Sequence, residues 1–285
     1  LPHSDKSPTL SDGPIPIAVG GLGGSGTRVL ADVLQRAGVF IGSDLSVALD
    51  NLWYAFLFGR RDIFVSDSAE TDRLIALFFR QMSDPRPLSA AEIAMLDAVS
   101  LERLQHPRKK LDAWSRGFRA HAAQGAPAPN WGWKVPYTYI LIERLLEWHP
   151  ELRYVHMTRH ALDMAYSANQ KQLITWGPVF LNRDVTKSPA DALAFWCAVH
   201  RRMERVSERF PDRVHHLDFD RLIRDPEAVL SETMHFLKRP VTANKLAELA
   251  ARVRLPETVG RHMAGSLSDF RPEDLAYLGE IGHDT

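Results

Sequence analysis

The sequence is poor in cysteine: Cys197 is the only one among 285 residues. A single thiol excludes an internal disulfide framework and any zinc site built on several cysteines. Cys197 falls in the apolar run 195–199, where it reads as a buried bystander. This cysteine usage fits a reducing cytosol, so a cytoplasmic protein is expected. Long hydrophobic runs are also missing. No apolar stretch reaches the ~18 residues needed to cross a bilayer, so no membrane span is expected. Neither sign of charge is in excess, since Lys+Arg and Asp+Glu both number 35. Nucleic acid is therefore not an expected partner, although the balance leaves room for a local basic pocket. The 17 glycines and 18 prolines are too few for a collagen-like or low-complexity chain. The remainder, 45% apolar and 25% charged, is ordinary for a globular protein long enough to bury a sizeable core.

Residues 1–14 are rich in Ser, Asp and Pro and read as a flexible tail. The apolar run 15–20 then reads as a strand, followed by a glycine-rich turn and a helix marked by Val29, Leu30, Val33, Leu34 and Ala37. Residues 51–80 and 89–122 are helical in pattern, and 124–129, with two prolines and a glycine, is a breaker. Residues 131–135 form a strand or strand end, and 137–148 a helix stopped by His149 and Pro150. Residues 152–158 read as a second buried strand running into a helix over about 162–172. Ala192, Phe195, Trp196, Val199, Met203, Val206 and Phe210 make one helical stripe. Residues 213–219 are a further strand, and Pro226 opens a helix after Asp225. Strands alternating with helices predict a central parallel sheet with helices on both faces, a P-loop-like three-layer α/β sandwich. No internal repeat or linker is evident, so 15–285 reads as one domain. Its helical insertion, about 50–125, is placed to serve as a lid.

The turn Gly21-Leu22-Gly23-Gly24-Ser25-Gly26-Thr27-Arg28 has the chemistry of a phosphate cradle. Glycines let backbone N–H groups converge on an anion, and the helix N-terminus adds a favourable dipole. The bland alternative is a tight turn without a ligand. A dinucleotide fold would want an acidic residue ending a second strand about 20 residues on, and none stands there. A nucleoside triphosphatase would want G-x-x-x-x-G-K-[S/T]; here the loop reads G-x-x-x-x-G-T-R. Downstream, Arg159, Asp163 and Ser167 form R-x-x-x-D-x-x-x-S. An arginine at a strand end can fork onto a phosphate, and Asp163 and Ser167, four apart on the next helix, are expected to share one face. The alternative is a first-turn aspartate and an ordinary serine.

With both motifs present, the chain resembles the sulfotransferases that use 3'-phosphoadenosine 5'-phosphosulfate (PAPS), among them the carbohydrate sulfotransferases. The resemblance continues through Trp133-Lys134-Val135-Pro136-Tyr137, through the strand, acidic turn and D-P-E helix start of 216–227, and through Thr258-Val259-Gly260-Arg261, similar to a late loop that closes over the nucleotide. It implies that Gly23, Gly24, Ser25, Gly26, Thr27 and Arg28 bind the donor's 5'-phosphosulfate. It implies that Arg159 and Ser167 bind the 3'-phosphate, with Arg261 closing over the nucleotide. Sulfuryl transfer to a hydroxyl or amine of a small-molecule or glycan acceptor would leave adenosine 3',5'-bisphosphate. Many members carry lysine or arginine where this chain has Gly24, so Arg28 or Lys134 is the candidate replacement. Otherwise the chain is a weak or non-catalytic relative; a P-loop small-molecule kinase is the other alternative. An acidic residue after the first helix acts as base in glycan-modifying relatives. Asp50 is its best match, with Asp44 next, and the competing role for Asp50 is capping the helix that starts near Asn51.

The remaining polar clusters read as structural. His156 and His160 straddle a strand end without a third ligand, so no metal is expected. His215 and His216 face opposite sides of a strand. Asp218 and Asp220 suit a capping turn better than magnesium. Lys109-Lys110 and Arg201-Arg202 read as solvated helix charges. Trp131 and Trp133 either stack on a base or sugar or pack as strand aromatics.

Overall fold

The computed structural model describes residues 15–101 and 106–283; the tail expected over 1–14 lies outside them. The chain runs through β1 (Ile17–Gly21), α1 (Thr27–Arg36), α2 (Leu52–Phe58), α3 (Ser68–Ser83), α4 (Ala90–Leu101), α5 (Arg108–Gln124), β2 (Gly132–Lys134), α6 (Ile142–Trp148) and β3 (Arg153–Thr158). It continues through α7 (Ala161–Ala165), α8 (Lys171–Leu181), α9 (Pro189–Arg209), β4 (Val214–Asp218), α10 (Phe219–Arg224), α11 (Pro226–Phe236), α12 (Ala243–Ala250) and α13 (Pro272–Glu280). The strands form one parallel sheet in the order β2-β1-β3-β4. In its register Ile17 lies beside both Gly132 and Arg153, and His156 beside His216.

The two-residue period of the strands divides their side chains between two cores. Ile17, Val19, Val155, Met157 and Leu217 face one side, where Leu30 and Leu34 of α1, Leu230 and Met234 of α11 and Leu249 of α12 cover them. Ala18, Trp133 and Tyr154 face the other, packed with side chains of α2, α3, α5, α6 and α9. Parallel strands buried on both faces need helices on both faces, and this is the three-layer α/β arrangement expected. The helices of 50–125 do not stand off as a flap. Trp53, Phe56, Phe78 and Phe118 are buried in the same core as Tyr154, and Phe78 meets the Trp133 ring edge-on at 5.3 Å.

Several local readings need correction. The helix expected over 162–172 is two helices: α7 ends at Ala165 and α8 begins at Lys171. The Gln170 side chain donates to the carbonyls of Met164 (3.0 Å) and Ser167 (2.9 Å), satisfying the end of α7 that a continuous helix would have satisfied internally. Residues 137–148 likewise split into a 3-10 turn, Pro136–Ile140, and α6. Arg202 is not solvated. It donates to the Tyr139 carbonyl at 2.5 Å and to Glu143 at 2.6 Å, while Arg201 lies 3.8 Å over the Tyr277 ring. Trp131 and Trp133 are buried core residues, near-parallel at 6.1 Å, which leaves no face for a nucleotide base. Asp218 caps α10 through the N–H groups of Asp220 (2.7 Å) and Arg221 (3.3 Å). Cys197 is buried, and that burial pushes its thiol up to about 12. Among the described residues, no helix is long and apolar enough to cross a membrane.

Candidate active site

The glycine-rich turn follows β1 directly and delivers its backbone to the N-terminus of α1. Gly24 and Gly26 have φ of 104° and 94°, a region that side chains disfavour. A Cβ on Gly26 would also run into the Phe219 ring. Gly26 is thus fixed by its own fold and not only by the approach of a ligand. Helix α1 begins at this glycine without a side-chain cap, with no acidic residue in its first turn and with Arg28 there instead. A cation at a helix N-terminus opposes the dipole, which an anion bound to the same turn would reverse. The Ser25 side chain is 1% exposed, and its Oγ has no hydrogen-bond partner among the described residues. An orphaned hydroxyl facing an uncapped helix start fits a phosphate-type ligand.

Arg159 leaves the end of β3 and reaches the same turn. Its Nη1 donates to the Gly24 carbonyl at 3.4 Å, and its Nη2 donates to the Thr258 carbonyl at 2.5 Å. Arg261 Nε donates to that same Thr258 carbonyl at 3.0 Å. Burial, and then the Arg159 charge beside it, lower the Arg261 pKa. Two guanidiniums sharing one carbonyl form a strongly positive spot. The one carboxylate beneath it is Asp163, 1% exposed, which meets Arg159 at 3.3 Å and accepts from Gly260 N (2.9 Å), His262 N (3.2 Å) and His262 Nδ1 (2.7 Å). Burial alone would raise the Asp163 pKa, but the hydrogen bonds from His262 and Gly260 and the charge of Arg159 bring it below the ordinary value. Arg159 Nε is buried without a partner among the described residues. Ser167 lies beyond the end of α7, and its hydroxyl would be 3.9 Å from a Cβ on Gly24. Asp163 and Ser167 therefore do not share a helical face. Asp163 turns to the 258–262 loop and Ser167 to the glycine-rich turn.

Lys134 ends β2 beside β1, 1% exposed. Its Nζ donates to Asp50 Oδ1 at 2.5 Å and to the Ala48 carbonyl at 2.5 Å. Burial lowers the Lys134 pKa; Asp50 opposes this, and the Arg28 charge adds to it. Asp50 is set in place by a tight loop. Ser46 Oγ donates to Asp50 Oδ2 at 3.0 Å, and the Asn51 N–H donates to the Lys134 carbonyl at 2.9 Å. The cap of α2 is Asn51, whose Oδ1 accepts from Tyr54 N at 2.8 Å; Asp50 does not take that role. A cleft of about 570 Å³ connects Asp50 to Gly23, with Tyr137, Gln172 and Trp176 on its other walls. Asp44 is not brought to this cleft. It lies against Gly117 and lines a separate one with Phe40 and His121.

The expected residues thus form two groups joined by the glycine-rich turn: Arg28, Lys134 and Asp50 on one side, and Arg159, Ser167 and Arg261 on the other. Sequence reasoning missed Asn169 and Gln172, whose amides face Gly23, because no spacing signal marks them. It also missed the partners of Asp163. His160, Asp163 and His262 offer ligand atoms within 4.8 Å of one another, a trio made by two distant segments. The Asp163 oxygens in that trio are already taken by Arg159, Gly260 and His262.

A parallel sheet with a glycine-rich turn between its first strand and helix defines a P-loop-like type of α/β fold. A model of the sulfotransferase family matches residues 16–243, and the chain belongs to that family. An uncharacterized protein of Aquifex aeolicus is 28% identical over 111 residues, which are 38% of this chain and 14% of that protein. Similar solved structures include a Mycobacterium avium sulfotransferase (16% identical, 96% of this chain and 78% of that one, TM-score 0.49). The sulfotransferase domain of a Synechococcus PCC 7002 olefin synthase is also similar (16% identical, 97% and 98% covered, TM-score 0.49).

Proposed function

We propose that the protein moves a sulfuryl group from PAPS to a hydroxyl or amine of a small-molecule or glycan acceptor and releases adenosine 3',5'-bisphosphate. The observation that carries this reading is the cleft in which Asp50, paired to Lys134, faces the glycine-rich turn. The donor supplies an activated sulfur–oxygen bond to phosphate; that bond breaks as the acceptor oxygen bonds to sulfur. N–H groups of Gly23, Gly24, Gly26 and Thr27, with the Ser25 hydroxyl, hold the 5'-phosphosulfate. Arg159, Ser167 and Arg261 hold the 3'-phosphate. Asp50 takes the acceptor's proton. A carboxylate has about four lone-pair sites, so the hydrogen bonds from Ser46 and Lys134 leave room for one from the acceptor. Lys134 and Arg28 supply the positive field over the departing oxygen, where the family often has a lysine or arginine in place of Gly24. Positioning and charge stabilisation of this kind account for most catalysis of group transfer between oxyanions. We place the protein in the reducing cytosol, where Cys197 stays a thiol.

The deciding experiment is calorimetry with adenosine 3',5'-bisphosphate, adenosine 5'-monophosphate and ATP, paired with sulfate transfer from labelled PAPS to a panel of acceptors. Arg159→Ala is expected to weaken the bisphosphate by roughly 2–4 kcal/mol, the scale for a buried charged pair, and the monophosphate far less. Equal loss for both ligands removes Arg159 from the 3'-phosphate site. Binding without transfer to any acceptor would make the chain a nucleotide-binding relative, and preference for ATP would make it a kinase.

A further inference from the structure

The cleft beside Gly23 holds chemistry that the transfer step does not use. Arg61 and Lys171 line it from opposite segments, and both are exposed. Arg61 spans to α8 by donating to the Ile174 carbonyl at 2.6 Å. Among the described residues neither cation is in an ion pair, unlike the nearby Arg60, which pairs with Glu70. Asp50 is the only carboxylate on the wall among the described residues, and Lys134 already counters it. The described wall therefore carries two positive charges beyond that pair. That surplus does not belong to the donor's 3'-phosphate, because Arg159, Ser167 and Arg261 are not on this wall. The same cleft is lined by two aromatic rings, Tyr137 and Trp176, 6.0 Å apart. Tyr139 donates to Gln172 Oε1 at 2.9 Å, which turns the Gln172 amide nitrogen toward Gly23. One cleft thus brings together a base, an apolar surface and two cations without an ion-pair partner among the described residues.

We propose that the acceptor is a hydroxyl-bearing organic anion. Its hydroxyl meets Asp50, its flat or apolar body lies against Tyr137 and Trp176, and its carboxylate sits between Arg61 and Lys171. A carboxylate on a guanidinium and an ammonium makes charge-assisted bonds that a neutral analogue cannot. This inference rests on the sulfuryl-transfer reading and adds the class of acceptor to it.

The test is a titration of the protein saturated with adenosine 3',5'-bisphosphate. The probes are 3-(4-hydroxyphenyl)propanoate and its uncharged amide. The acid is expected to bind about tenfold or more tightly than the amide, which corresponds to one charge-assisted interaction. In the double variant Arg61→Gln, Lys171→Gln the ratio should fall close to one, with the affinity for the bisphosphate unchanged. The inference is overturned if acid and amide bind alike, if neither binds, or if the preference survives the double substitution. A parallel fall in bisphosphate affinity also overturns it, because the cations would then serve the donor. A wild-type protein that does not take up the bisphosphate sinks the transfer reading first, and this inference with it.

Discussion

At the scale of single residues, the pairing of Asp50 with Lys134 changes what a substitution there would report. In the sequence the two stand 84 positions apart, and only the family resemblance links them to one reaction. In the fold Asp50 is the counter-charge of a buried ammonium. Asp50→Asn therefore removes both a base and a partner. Turnover is expected to fall by roughly 10²–10⁴, the usual range for general-base loss. Stability is expected to fall as well, by roughly 1–3 kcal/mol, because a buried cation loses its charged acceptor. The two effects separate in the double variant Asp50→Asn, Lys134→Met, where no buried charge is left unpaired. Its melting temperature should recover toward wild type while turnover stays low. A double variant that regains turnover would show that neither Asp50 nor Lys134 takes part in the transfer, and that the single variant failed only through its unpaired buried ammonium. Gly24 is also easier to understand in the fold than in the sequence. With φ of 104° it occupies a conformation in which lysine costs about 1–2 kcal/mol. This loop conformation disfavours a lysine at that position, and in the proposed reaction Lys134 brings its charge from the neighbouring strand instead.

At the scale of elements, the 258–262 loop is held to the start of α7 by one carboxylate. Asp163 receives two backbone N–H groups and one imidazole from that loop, and the Arg159 guanidinium from its own side. It is a positioning residue: it touches the arginine proposed to meet the 3'-phosphate and the loop that carries Arg261. Asp163→Asn keeps the size but cannot satisfy all four donors. It is expected to cost roughly 2–3 kcal/mol of stability, as hydrogen bonds to a charged group are lost. It should also raise amide exchange across 258–262. The pH dependence has a definite sign. The folded pKa of Asp163 is lowered from its ordinary 3.8, so its contribution is complete above about pH 4 and lost as pH falls through the lowered value. The wild-type advantage over Asp163→Asn, measured by urea unfolding, should be constant from pH 7 to 5 and shrink below 4. A gap that already narrows near pH 6 would mean that the Asp163 carboxylate is not what gives the wild type its advantage. The strands were legible in the sequence because each is a short apolar run bounded by turn formers, and the glycine-rich turn because it joins a strand to a helix. The break between α7 and α8 was not legible. Its cause is a side-chain cap from Gln170, a residue that is equally at home inside a helix.

At the scale of the whole molecule, the charge balance hides a polarised interior. Sequence pattern located both cores but could not foresee which polar residues they enclose, because that depends on which faces of β3, β4 and α9 meet. They enclose histidines. His156 of β3 and His216 of β4 are neighbours at 5.7 Å between ring centres, and His200 of α9 lies 6.1 Å from His216. Burial lowers the pKa of all three; the neighbouring histidines add to this for His156 and His200, and His200 is brought down to about 4. Arg202 pushes His156 in the same direction, while Glu204 pulls His200 and His216 back. Folded, these rings hold protons less readily than in the unfolded chain, where they take them up below about pH 6.5. The unfolded chain then binds more protons, so stability must fall as pH drops below 6.5. Each ring contributes a slope of up to about 1.4 kcal/mol per pH unit. With three rings shifted in the same direction, the protein should lose stability as the pH falls below 6.5, before most carboxylates are protonated. Urea midpoints at pH 7.5, 6.5, 5.5 and 4.5 give the measurement. The expected curve is flat at the alkaline end and steep below 6.5, and it should be shallower in His156→Asn, which removes one of the rings. A midpoint that stays constant down to pH 5 would mean that the histidine cluster is protonated in the folded state, against the burial that surrounds it.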